Sequence, residues 1–549
     1  MLNEITSALK NIFKRELVIL WLFSLLLSAA IITLSLKNKL PLGKGDFTFI
    51  SILTLLVALY RPRWIFFLFI SLIPLENIIL VSDFLPLQLR PYQFLEAILV
   101  AAIFILWLSK RLDFRILKPN WMDTAFFSLM PLSLLPLLSS TFKALNVKNS
   151  LILLSFVLLY FLIRNFVRNK SDLIKTFAFF VGSYLVVVKY GFYQVLADKF
   201  GFKSFEVMFG RPNSTFAEPD WLGIFLCFSL AAFLSVAYYL STKRGEIEYS
   251  GWLKFITHLF IFSALLLAIL TLSRSTWIGI AIVSIFFIFL IPGLGKEKGS
   301  WFKFSYGKSA EQIAIFLIIL LISIFLIRIF NLSKFDIFDR ARSTATSEQK
   351  ITVACAPGSS IPESVATADE LNKFGCQHIN LEDIASYKSR GKMIAQIYRK
   401  DPNVMTRSAI YKQSWEIIKK HPITGVGYAS ITQSLGADER GAGLNESNIF
   451  LQIWAGSGLF GLIIFVSVIG FLFVYSFRRI SPICPLNKII SCPTIKGEFE
   501  KTLNIFLVLG VISLIIPNLF NAGLFMGTFW LGMATVVSAK DLIIGADPL

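Results

Sequence analysis

Residues 310–330 read AEQIAIFLIILLISIFLIRIF, with only Glu311 and Arg328 charged, and residues 331–446 after them are polar until a second apolar run opens at 447. A helix of roughly 20 apolar residues covers about 30 Å of hydrocarbon. The first stretch is therefore long enough to cross a membrane, and the polar stretch is a loop between two crossings. Working outward in both directions, similar runs lie near 17–36, 46–60, 64–82, 93–109, 122–141, 150–167, 173–196, 219–240, 253–273, 275–294, 447–476, 503–522 and 524–540. This pattern predicts an all-α integral membrane protein with about 14 transmembrane helices and one long loop. The first run is too long for the core of a cleavable leader, and no small-residue cleavage site follows it.

Composition agrees. Of the 549 residues, 55% are hydrophobic and 16% charged, mean hydropathy is +0.69, and 54 residues are Phe. A globular domain carries about 25% charged residues. This chain has too little polar surface to cover itself in water, which excludes soluble enzymes, nucleic-acid modules and secreted disulfide scaffolds. The net charge of +19 then needs another origin.

Topology supplies one. Alternate connections divide into two sets, the first holding 26 Lys and Arg, the second 10 outside its long loop. The first includes Lys10, Lys14, Arg61, Arg111, Arg115, Lys118, Arg164, Arg168, Lys243, Arg244, Lys296, Lys298, Lys303, Arg478, Lys488 and Lys496. Short loops rich in Lys and Arg stay in the cytoplasm. Both termini are expected inside, and the loop 331–446 outside.

That loop holds Cys355 and Cys376, the two cysteines assigned to the outer side; Cys484 and Cys492 fall in an inner loop and Cys227 in a span. In an oxidising compartment Cys355 and Cys376 could pair, and spacing alone leaves two free thiols equally open. Residues 405–420 read as an amphipathic helix with Ile410, Tyr411, Trp415 and Ile418 on its apolar face. Arg407, one turn before Tyr411, falls on that face; it either points inward or snorkels to solvent.

Catalytic options are narrow. The three histidines are His258 in a span, His378 in the loop and His421 at the end of the amphipathic helix, with no HExxH or CxxC pattern, P-loop, dinucleotide fingerprint or GxSxG elbow. What stands out is arginine at outer span ends. Arg211 opens Arg211-Pro212-Asn213-Ser214-Thr215-Phe216-Ala217-Glu218-Pro219-Asp220, directly before a span, and Arg274 sits in Leu272-Ser273-Arg274-Ser275-Thr276 at a tight reversal. A charge at the hydrocarbon edge is costly and marks a substrate path, or else anchors to lipid head-groups. Two guanidinium groups on one side suit a diphosphate, because each can hold phosphate oxygens bidentately.

Further on come Arg407-x7-Trp415-x5-His421-Pro422-x2-Gly425-Val426-Gly427-Tyr428, then Asn445-Glu446-Ser447-Asn448 and Gly456-Ser457-Gly458-Leu459-Phe460-Gly461. Glu446 stands at the start of a span, where it is either an N-terminal cap or a reactive carboxylate.

On these residues the sequence resembles the bacterial O-antigen ligase and O-antigen polymerase family of multispanning glycosyltransferases. The resemblance covers roughly 205–470: the arginine before a span, the Ser-Arg reversal, the long loop ending in His-Pro-x-x-Gly-x-Gly, and the Gly-Leu-x-Gly turn of the next span. It divides the chain into a helix array (1–204), helices carrying the arginines (205–330), the outer loop (331–446) and C-terminal helices (447–549). It implies transfer of a glycan from a polyprenyl (undecaprenyl) diphosphate carrier to an acceptor hydroxyl outside the inner membrane, without metal, nucleotide or other cofactor. The implied partners are the lipid-linked oligosaccharide, an acceptor glycan, membrane lipids and, in a polymerase, a chain-length regulator; nucleic acid is not among them. Ligases of this family typically show His-Asn where this chain has Ser447-Asn448, which favours a repeat-unit polymerase over a lipid A-core ligase.

The expected site then comprises Arg211 and Arg274 on the donor diphosphate, with Arg407, Glu218, Ser447 and Asn448 as further substrate contacts. Glu446 is the expected base and His421 its alternative. A diphosphate leaves readily, so arginine charge can replace a metal, and attack by a sugar hydroxyl needs one base at most. A lipid-linked oligosaccharide flippase is the rival reading; it would call for charges within several spans and two related halves.

Overall fold

The protein is described here from a computed structural model covering residues 15–81, 88–139, 141–204, 207–208, 210–242, 250–293, 306–346, 348–379, 383–400, 402–428, 430–436, 444–480 and 497–544. The assignments at Lys10, Lys14, Lys243, Arg244, Lys296, Lys298, Lys303, Cys484, Lys488, Cys492 and Lys496 lie outside the described residues.

The chain divides into two compact units, Met1–Leu332 with Ile417–Leu549, and Ser333–Glu416. In the first, the helices run α1 (Arg15–Leu36), α2 (Lys44–Tyr60), α3 (Pro62–Leu72), α4 (Pro91–Leu108), α5 (Trp121–Leu132), α6 (Lys143–Phe166), α7 (Lys170–Phe200), α8 (Pro219–Thr242), α9 (Ser250–Leu270), α10 (Arg274–Gly293) and α11 (Tyr306–Ile329). After the second unit come α15 (Ser430–Leu435), α16 (Ile449–Ile480), α17 (Glu498–Asn518) and α18 (Gly527–Ile544). Among the described residues, eleven helices are long and apolar enough to cross a membrane, and Pro62–Leu72 and Arg274–Leu290 are apolar but shorter. In this first unit the helical membrane fold expected from the sequence is what forms.

Burial ranks the helices. In α8, 89% of the apolar window is buried and in α18 83%, against 11% in α11. Helices apolar all round sit at the centre when protein surrounds them and at the rim when lipid does. Glycine sets the closest approach: a Cβ on Gly223 of α8 would lie 1.6 Å from Thr276 Oγ1 of α10.

Three spans depart from expectation. The run 64–82 is helical only over Pro62–Leu72, with Pro74 and the buried Glu76 just beyond its end. The run 122–141 contains Pro131 and continues past Leu132 as a separate 3-10 turn, Leu135–Leu138. The run 447–476 is broken at Gly458, whose φ of 68° and ψ of −174° are non-helical. Arg164, counted from the sequence as a loop charge, is 3% exposed at the end of α6.

The second unit holds α12 (Ile337–Thr346), β1 (Glu348–Cys355), β2 (Ser364–Val365), β3 (Cys376–His378), α13 (Ile384–Ser389), β4 (Met393–Lys400) and most of α14 (Pro402–Lys420). The strands form a sheet in the order β2-β4-β1-β3, with β1 antiparallel to β3 and β4 and β2 parallel to β4. The sequence reading anticipates no strand in this loop. Cys355 and Cys376 face each other across β1 and β3 and form a disulfide. Around it Ile351, Val353, Val365, Leu371 and Ile397 make a small core.

The amphipathic helix is α14. Its buried stripe is Ile410, Ser414 and Ile418, spaced four apart; Trp415, assigned to that stripe from the sequence, is 41% exposed. One extra residue beyond i+4 turns a side chain about 100° around the helix, which moves it off the stripe. Arg407 is half-buried one turn before Tyr411. Burial pushes the Tyr411 hydroxyl up and the Arg407 charge pulls it down.

Candidate functional site

The segment before α8 is built to hold a fixed shape. Ser214 takes a left-handed φ of 51°, its hydroxyl donates to Val187 O (2.6 Å), and its amide donates to Gln194 Oε1 (2.6 Å). Asn213 Nδ2 donates to Phe216 O (2.6 Å), and Thr215 Oγ1 donates to Pro74 O (2.7 Å). Asn213, Ser214 and Thr215 are all buried, so these bonds replace water. They fix the backbone that carries Arg211.

The side chain of Arg211 reaches the other predicted arginine segment: its Nε donates to Thr271 O at 2.8 Å, and its Nη2 lies 3.8 Å from Asp220 Oδ1. Thr271 begins the reversal from α9 to α10, where Leu272 has φ 54°. Ser273 Oγ caps α10, accepting from Thr276 N (3.3 Å) and Thr276 Oγ1 (2.8 Å), and Arg274 is its first helical residue. The structure thus brings the Arg211 loop onto the Ser273-Arg274-Ser275 turn. Both arginines are half-buried. Glu218 stands at the start of α8, where its carbonyl accepts from Trp221 N and Leu222 N.

The glycine-rich run pairs with the broken helix. At Gly458 the α16 ladder opens, and Ala455 O accepts from Val426 N (2.8 Å) and Gly427 N (2.9 Å). Leu459 N, freed on the far side, donates to Pro422 O and Ile423 O (both 3.2 Å). Gly425 and Gly458 both have positive φ, and a Cβ would come within 2.5 Å of Ala455 O at the first and 2.0 Å of Ile423 O at the second. His-Pro-x-x-Gly-x-Gly and Gly-Ser-Gly are therefore two halves of one backbone junction. Tyr428 ends it: the ring fills the space over Gly456, and its hydroxyl bonds Ser457 Oγ at 2.7 Å. His421 is exposed at the start of this junction.

Glu446 lies just before α16 and is 1% exposed. It is not the helix cap. Asn448 is, its Oδ1 accepting from Phe450 N (2.9 Å) and Leu451 N (3.1 Å). Ser447 has a φ of 47° and is held by Asn445 Oδ1, which accepts from its amide at 2.9 Å. Among the described residues Glu446 Oε1 has no hydrogen-bond partner. Burial pushes the carboxyl up to about 7, against a small opposing pull from its own backbone amide. Burial also pushes the Tyr428 hydroxyl up, Ser457 pulls it down, and the Glu446 charge raises it further.

One connection joins the two halves. In the turn from α17 to α18, Leu519 O accepts from Asn448 Nδ2 (3.0 Å), and Asn521 Nδ2 donates to Ser275 Oγ (3.1 Å). The residues flanking Arg274 and Glu446 are thus moored two residues apart.

Residues 259–466 match the O-antigen ligase family model. Over that region the chain is similar to the O-antigen ligase family. Among curated proteins, none matches the chain.

The O-antigen ligase region includes Arg274, Arg407, His421, Glu446, Ser447 and Asn448, and leaves Arg211, Glu218 and Asn521 outside. Sequence reasoning missed Gln194, Leu519 and Asn521. Nothing local distinguishes them: Gln194 is one polar residue in an apolar helix, and a main-chain carbonyl such as that of Leu519 leaves no trace in a sequence.

Proposed function

We propose that this membrane protein of glycan ligation or polymerisation transfers a glycan from a polyprenyl diphosphate to an acceptor sugar hydroxyl on the extracytoplasmic face. The convergence of the Arg211 loop on the Ser273-Arg274-Ser275 turn is the observation that carries this reading. In the proposed step an acceptor oxygen forms the new bond to the anomeric carbon, the carbon–phosphate oxygen bond breaks, and diphosphate leaves with the electron pair. Arg211 and Arg274 take up the charge that grows on the leaving oxygens. Glu446 accepts the proton of the attacking hydroxyl; a carboxyl near 7 is partly ionised at neutral pH and basic enough for that task.

The extracytoplasmic placement rests on the 26-to-10 distribution of Lys and Arg and is supported by the Cys355–Cys376 disulfide, a bond of oxidising compartments. The Ser447-Asn448 pair favours growth of a repeat-unit chain, whereas the matching family model carries the description of a ligase. Mass analysis decides between them. Purified protein in detergent, given a defined polyprenyl-diphosphate oligosaccharide without ATP or added metal, should lengthen the lipid-linked glycan. Transfer only when lipid A-core is supplied would make it a ligase, and no transfer to either acceptor would overturn the reading.

A further inference from the structure

A second feature lies at the other end of α4 from the arginines. Arg90, the residue before α4, pairs with Glu76 (2.6 Å), and the next residue, Asn77, donates its amide to Thr215 O (2.8 Å) in the Arg211 loop. The first turn of α4 is therefore on the arginine side. Its last two turns, from Val100 to Trp107 and about 14 to 24 Å of helix rise further on, line an open groove of about 310 Å³.

The groove is almost wholly apolar. Ile103, Phe104 and Trp107 form one wall, Phe114 and Ile116 a second, and Phe161 of α6 is on the third. Phe104 and Trp107 stack at 6.2 Å and are 56% and 55% exposed, so protein leaves these rings to the bilayer. The wall at 114–116 is pinned. Leu117 N donates to Asn165 Oδ1 (2.8 Å), and the Arg168 guanidinium stands over the Phe114 ring at 5.5 Å. Immediately beside this wall, Lys110, Arg111, Arg115 and Lys118 are exposed, with Asp113 the one acidic residue among them. An apolar, partly aromatic groove beside a cluster of exposed cations has the chemistry that suits a lipid with an anionic head.

We propose that this groove binds one acyl chain of an anionic phospholipid, with the lipid phosphate held by Arg111, Arg115 and Lys118. Positive residues at this end orient the helices whether or not a lipid binds; the fixed apolar groove beside them is what adds a site. It is separate from the donor site, and its test does not depend on transferase activity.

Trp107 is the reporter. The full chain, purified and delipidated in detergent, is titrated with phosphatidylglycerol or phosphatidylcholine of identical brominated chains, and quenching absent from Trp107→Phe is taken as the groove signal. Phosphatidylglycerol should quench at concentrations about a hundredfold below phosphatidylcholine, from three cations near a surface phosphate. The triple variant Arg111→Ala/Arg115→Ala/Lys118→Ala should bring the two lipids level. Equal quenching by both lipids in the unmodified protein would overturn the proposal, whether or not the triple variant folds. So would a folded triple variant that keeps the full preference.

Discussion

Asp123 and Glu446 are both buried carboxylates in the same unit, 0% and 1% exposed, and their surroundings are opposite. Asp123 accepts from Tyr160 OH (2.7 Å), Arg164 Nε (3.0 Å) and Asn120 N (2.9 Å), while Arg164 also bonds Asp541 and Ser538 Oγ (3.1 Å). These contacts tie α5, α6 and α18 together. Glu446 has an oxygen with no partner among the described residues and no basic group among the causes that shift it. A paired buried carboxylate is neutralised and holds structure; an unpaired one weakens the fold and keeps its capacity to bond something else. The difference separates a joint of the bundle from a group available for chemistry.

The sharpest way to break this contrast is Glu446→Gln. If Glu446 is the base, turnover should fall by about two to four powers of ten while donor binding is kept. In the unmodified protein turnover should rise with pH through about 7, as the carboxyl ionises, and the Gln variant should lose that limb. Stability should run the other way. A folded value raised from 4.5 to about 7 means the fold prefers the neutral acid. That contribution is whole below pH 4.5 and is lost as pH rises through about 7. Melting of the Gln variant should lack this slope. An unchanged rate in Glu446→Gln, beside a dead His421→Ala, would move the base to His421.

Arg274→Ala tests the charged side of the same centre. Removing one donor to a developing oxyanion costs about two to three powers of ten in rate, and Arg274→Lys should cost clearly less, because a point charge survives without the fork. Near-normal turnover in both Arg211→Ala and Arg274→Ala would disconnect them from the reaction. At the paired carboxylate the expected loss is of another kind. Asp123→Ala leaves Arg164 short of its main partner and should lower stability by about 3 kcal/mol in a detergent melt, with the folded fraction turning over normally. A large rate defect there would erase the contrast between joint and reactive group.

How far the sequence carries depends on what kind of force is at work. Apolar run length locates every helix from α1 to α11 and from α16 to α18, because each span must satisfy its own backbone bonds in lipid. Prolines and a glycine spoil the lengths of α3, α5 and α16. The sheet in Ser333–Glu416 escapes notice because β1 reads EQKITVAC, half polar and half apolar, without a clean alternation. At the candidate site, Arg211, Arg274 and Glu446 stand out as charges at span ends. Their mooring by Gln194, Leu519 and Asn521 does not, since it depends on which turns meet in space.

The smallest effect tests that mooring. Asn448 does two things with one amide: its oxygen caps α16, and its nitrogen donates to Leu519 O. Asn448→Ala removes both, and the lost cap alone should cost about 1 kcal/mol of stability. Asn448→Asp keeps an acceptor for the cap, favoured further by the helix dipole, but has no donor for Leu519 O when ionised. If the turn at 519–521 only packs, the Asp variant should melt and turn over like the unmodified protein. If it holds the Glu446 segment in register with Ser275, the Asp variant should keep its melting temperature and lose about tenfold in turnover, because small misplacements of reacting groups are costly in rate. A variant as stable as its parent and slower than it would show that the tether serves the reaction, and a variant unchanged in both would leave Asn448 as a cap alone.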